Sequence, residues 1–136
     1  MTKKLLLLLT FLFPVFLFAQ SAFSDCDHVY TSVQHLPSLK ISDEAFEDTL
    51  ATVLTSKKFP IKDNEITYKF VVTDKSKIDD LIATSGSVGK EKILKETLLN
   101  LADLWKPATQ NGYEVCSDVS LKLKFANNKI NIEITQ

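Results

Sequence analysis

Apolar residues first mass together and then become periodic. Residues 5–19 are apolar except for Thr10 and Pro14, and Lys3 and Lys4 precede them. Few regular signals follow until Ser42, a helix N-cap type with Asp43 and Glu44 where a helix start favours negative charge. Ala45, Phe46, Leu50, Val53 and Leu54 then recur at helical spacing, which predicts a helix ending near 57–59, ahead of Pro60. Past Pro60 the period drops to two. Ile66, Tyr68, Phe70 and Val72 alternate with Thr67, Lys69, Val71 and Thr73, a strand with one stronger face. A polar turn over 74–77 and a weaker strand over 78–84 complete a predicted hairpin, and 85–89 reads as a loop. Ile93, Leu94, Thr97, Leu98, Leu101, Ala102 and Trp105 predict a second helix over about 90–105, halted by Pro107. After a turn at Asn111-Gly112, Val115, Val119, Leu121, Leu123 and Phe125 share one strand face, with Cys116 on the other. Asn127-Asn128 suits a tight reversal into a last strand bearing Ile130, Ile132 and Ile134.

The order helix, two strands, helix, two strands predicts a two-layer α+β domain, with an antiparallel sheet packed against helices. The expected divisions are a leader over 1–19, an N-terminal extension over 20–41 and the domain over 42–136. In the extension, Val29, Val33, Leu36 and Leu39 are compatible with a short helix or with turns ended by Pro37.

The leader changes the setting of everything after it. As a helix, 5–19 spans about 22 Å, short of the ~30 Å hydrocarbon core, and Ala19 supplies a small residue for cleavage. This describes a secretory signal peptide, with cleavage after Ala19 or Ala22; the alternative is an uncleaved anchor, the only expected membrane contact. In a periplasmic or secreted chain, Cys26 and Cys116 suggest one disulfide closing a loop of roughly 90 residues, the alternative being two unpaired thiols. On that bridge the N-terminal segment crosses the second sheet face.

Candidate chemistry adds little. All 16 basic residues are lysines, so bidentate guanidinium contacts to phosphate or guanine are absent and a nucleic-acid partner is not expected. Cys26, His28 and His35 lack metal-ligand spacing, and no Cys-x-x-Cys pair, serine elbow or triad pattern is present. Gly86-Ser87-Val88-Gly89 lacks the lysine and glycine spacing of a phosphate loop. Carboxylate pairs such as Glu44/Asp48 and Asp79/Asp80 are routine with 17 acidic residues on a small surface. No catalytic residue, metal or cofactor is expected, and the chain is read as a non-enzyme. Trp105, in Trp105-Lys106-Pro107, is expected to anchor the core where helix meets sheet.

Residues 66–125 resemble the C-terminal domain of the energy-transducing protein TonB, in a Bacteroidetes-type, stand-alone secreted form. The likeness rests on Tyr68-Lys69-Phe70-Val71-Val72, then Ile78-Asp79-Asp80, Trp105-Lys106-Pro107-Ala108, and Asn111-Gly112-Tyr113-Glu114-Val115 leading to Leu121-Lys122-Leu123-Lys124-Phe125. Phe46, Leu50, Leu54 and Phe59-Pro60 resemble the preceding family helix and Tyr-Pro element, with phenylalanine in place of tyrosine. Lys75-Ser76-Lys77 stands where glycines usually accompany the hairpin turn.

The resemblance implies helices backing antiparallel strands and a role in the envelope, binding an outer-membrane or other envelope protein by pairing with an extended peptide. It offers 121–125 or 130–134 as the receiving edge. Three functions follow as expectations: an exported interaction module, a membrane-anchored transducer for transmembrane transport, and a structural or small-ligand-binding envelope protein. The transducer also needs a stiff spacer, and Pro37, Pro60 and Pro107 are scattered.

Overall fold

The computed structural model describes residues 26–136, and the expected leader lies outside them. The chain forms β1 (Val29–Tyr30), β2 (Ser38–Leu39), α1 (Asp43–Ser56), β3 (Asn64–Val72), β4 (Ile78–Gly86) and α2 (Glu91–Asn100). It continues as β5 (Trp105–Lys106), β6 (Ala108–Gln110), β7 (Tyr113–Ala126) and β8 (Lys129–Thr135). This is a mixed α+β fold in which two helices pack against a multistranded sheet.

β7 is the hub of that sheet. β3 runs antiparallel along one side of it and carries β4 beyond, while β8 covers residues 120–126 on its other side. β6 returns on β7 through a two-residue turn at Asn111 and Gly112, both with positive φ. One pairing departs from the expected all-antiparallel sheet: β1 joins β7 in parallel, placing Val29 opposite Cys116 and Tyr30 opposite Ser117. Parallel pairing needs a long crossover, and almost the whole domain lies between these strands.

α1 forms where expected. The Ser42 hydroxyl oxygen accepts the Ala45 N–H at 3.1 Å, and Lys58 takes a left-handed conformation just beyond the helix end. Phe46, Leu50 and Leu54 are fully buried along one stripe. They meet Ile66, Tyr68, Phe70, Leu121 and Leu123 from the sheet, with Leu94 and Leu98 of α2.

The second helix is shorter than its periodicity predicts. α2 stops at Asn100, a 3₁₀ turn spans Ala102–Leu104, and Trp105 is extended, pairing with Leu39 in a separate two-stranded sheet. The apolar rhythm persists because the tighter turn still delivers Trp105 to the core, where it is 1 % exposed. Its indole makes T-shaped contacts with Phe70 and Phe46, with centroids 5.3 and 6.2 Å away. Residues 26–41 also differ from the helix-or-turn expectation: β1 and β2 are short strands specified by their partners.

The β3–β4 turn explains how the chain manages without the expected glycines. Ser76 adopts positive φ, and the Thr73 hydroxyl oxygen accepts the N–H groups of Lys75 and Lys77. Strand β4 then runs two residues into the predicted loop. Gly86 ends it with positive φ, and a Cβ there would collide with the Glu65 carbonyl oxygen.

Tyr68 is fully buried, and its hydroxyl has no hydrogen-bond partner among the described residues. Burial, assisted by the nearby Glu91 charge, raises its pKa well above 10.0. The unfolded phenol therefore ionises first, so stability is fully present below pH 10 and falls as pH rises beyond it. Tyr68→Phe is expected to gain about 1 kcal/mol near neutrality by removing the unpaired hydroxyl. It is also expected to flatten the alkaline loss, and urea unfolding of both proteins near neutrality and above pH 10 measures each effect.

Candidate interaction edge and the disulfide-tied face

The register of β8 decides which of its backbone groups face outward. Asn127 and Asn128, both with positive φ, form a two-residue hairpin loop closed by the Ala126–Lys129 pair. The closing pair of such a hairpin is hydrogen-bonded, and bonded pairs alternate along an antiparallel ladder. Lys129, Asn131, Glu133 and Thr135 therefore bond to β7, while the N–H and C=O groups of Ile130, Ile132 and Ile134 point away from it. Their side chains share the core face, with Ile130 buried and Ile132 and Ile134 partly buried.

Of the two edges offered by the TonB likeness, 121–125 is closed because β7 lies between β3 and β8. The outer side of β8 carries no strand among the described residues. The opposite sheet margin, β4, is irregular: its register shifts twice against β3, and Asp80 has positive φ. Such bulges interrupt the row of outward groups that an added strand requires. β8 is the regular edge.

One outward group on β8 is already engaged. The Ile132 N–H donates to Glu47 Oε1 of α1 at 2.9 Å. Glu44, Glu47, Asp48 and Ala51 form one helix face, and with Asn128, Lys129, Ile130 and Asn131 they line an open groove of about 460 Å³ beside the strand. On the far face of the sheet, Lys122 pairs with Glu65 at 3.2 Å and Lys69 with Asp118 at 3.3 Å.

Cys26 and Cys116 are joined in a disulfide, with Cα atoms 6.1 Å apart. Cys116 is 5 % exposed. Such a bond is consistent with an oxidising, non-cytoplasmic compartment. Next to it, the buried Ser117 hydroxyl donates to the Tyr30 carbonyl at 3.0 Å and accepts from Gln136 Nε2 at 2.8 Å, joining both ends of the described chain to β7. Farther along, Gln34 Oε1 accepts the Asn111 N–H at 2.8 Å, and His35 pairs with Thr109. Sequence periodicity missed Gln34, Ser117 and Glu47, since each acts on a residue remote in the chain.

The sequence candidates thus separate in space. The Trp105 side chain is core, Lys106 is exposed beside it, and Pro107 is buried. Asn111 and Gly112 form the β6–β7 turn. Lys106 and Pro107 border an open groove of about 580 Å³ with Gln34, His35 and Leu36. Among the described residues, no group of three or more His, Cys, Asp or Glu side chains is placed to hold a metal ion.

The transmembrane-transport expectation is corrected: no helix among the described residues is long and apolar enough to cross a membrane, and the expected anchor over 5–19 lies outside those residues. The longest, α1, has 14 residues and mixes acidic with apolar positions. No known protein family, curated protein or solved structure matches the chain.

Proposed function

We propose that this chain is a secreted or periplasmic interaction module, similar to TonB C-terminal domains, that binds an extended segment of an envelope or outer-membrane protein by strand addition to β8. The observation carrying this reading is the regular outer side of β8, where Ile130, Ile132 and Ile134 present backbone groups that β7 leaves unused. An added strand hydrogen-bonds such groups and rests its alternate side chains beside the core edge. The disulfide supports an exported setting.

Hydrogen exchange on the protein with its captured envelope partner gives a distinctive expected result. Ile130 and Ile134 amides gain protection, whereas Asn131, Glu133 and Thr135, already bonded to β7, change little. Ile132→Pro is expected to abolish capture by removing an outward N–H while sparing the β7 ladder. Unchanged exchange at Ile130 and Ile134 in the complex rules out this mode.

A further inference from the structure

The Glu47 carboxylate occupies the position on the Ile132 N–H that an added strand's carbonyl oxygen would take. Edge strands left bare invite unwanted pairing, and a charged side chain across the edge is one way to prevent it. Glu47 lies on the helix face that also carries Glu44 and Asp48, all three bordering the groove beside β8. A strand added about 4.8 Å beyond β8 directs alternate side chains toward that helix face. There, a carboxylate on the incoming segment meets repulsion, an apolar side chain leaves Glu47 on its backbone donor, and a cationic side chain attracts Glu47 away from it. Among the described residues, Lys129 is the one basic residue lining the groove.

We propose that Glu47 is a latch closing the β8 edge, and that the segment opening it is an extended peptide carrying a lysine or arginine on its helix-facing side. The incoming carbonyl takes over the Ile132 N–H as the cation pairs with the released carboxylate. This inference rests on strand addition at β8 and specifies the partner chemistry at that edge.

The probes are short capped peptides of alternating threonine and valine, with lysine, norleucine or glutamate at the centre. The lysine peptide is expected to bind the parent protein about fivefold more tightly than the norleucine peptide, a preference that shrinks in high salt. Glu47→Ala exposes the Ile132 donor and raises norleucine-peptide affinity about fivefold, while narrowing the lysine preference. Glu47→Gln keeps an acceptor oxygen and loses the charge, so its edge stays closed and its lysine preference falls. Binding with protection at Ile130 and Ile134, indifferent to both Glu47 changes, overturns the latch and leaves strand addition standing. No binding and no protection for any pair, Glu47→Ala included, removes strand addition and the latch together.

Discussion

Removing the Cys26–Cys116 bridge by the paired change to serine is expected to lower the unfolding free energy by about 4–5 kcal/mol. The closed loop, with a sequence separation of 90, restricts the unfolded chain severely, and the entropy released on opening it grows with loop length. Total stabilities of about 5–15 kcal/mol make this a large share. The loss should also have a local signature. β1 has only two residues, and without the covalent tie the Tyr30 amide, which the parallel register turns toward β7, should exchange much faster. Ser38 and Leu39 should change less, because β2 pairs independently with β5. Urea unfolding of oxidised, reduced and serine-substituted protein, followed by amide exchange, checks both expectations; a stability change below about 1 kcal/mol would contradict the loop-entropy account.

Trp105→Ala is the second large expected effect, at about 4 kcal/mol. The indole is among the largest fully buried side chains and touches both layers, Phe46 from α1 and Phe70 from β3. Truncation leaves a cavity that neither element closes easily and removes two edge-to-face ring contacts, each worth about 0.5–1.5 kcal/mol beyond buried area. Trp105→Phe keeps part of the volume and should cost less than half as much. Far-UV circular dichroism in urea is the suitable readout, since Trp105 is the sole tryptophan. An alanine variant within 1 kcal/mol of the parent would show that Trp105 does not hold the layers together.

Local patterns made the core legible in the sequence. Ser42, the stripe through Phe46, Leu50 and Leu54, and Pro60 mark α1 because cap, stripe and stop all act within the helix itself. The alternations in β3, β7 and β8 were equally plain, and each asparagine turn stood where both central residues need positive φ. Trp105 was more ambiguous. Its phase revealed burial but not conformation, since a 3₁₀ turn and a helix both keep Leu98, Leu101 and Trp105 near one side. β1 and β2 left little trace because two-residue strands owe their form to distant backbone partners. The role of Glu47 was illegible for the same reason: its partner lies 85 residues downstream, and which N–H faces it depends on the β7–β8 register.

The parallel docking of β1 also sets a timetable for biogenesis. The β3–β4 and β7–β8 hairpins join close neighbours in the chain and can form quickly, whereas β1 must wait for nearly the whole polypeptide. As the polypeptide emerges N-terminus first, Cys26 appears as a solitary thiol well ahead of Cys116. During that interval its available oxidation partners belong to other molecules, so covalent dimers compete with correct maturation. Yield of the native Cys26–Cys116 bond thus depends on keeping the first cysteine reduced, or reshuffling its mistakes, until the hub strand has arrived.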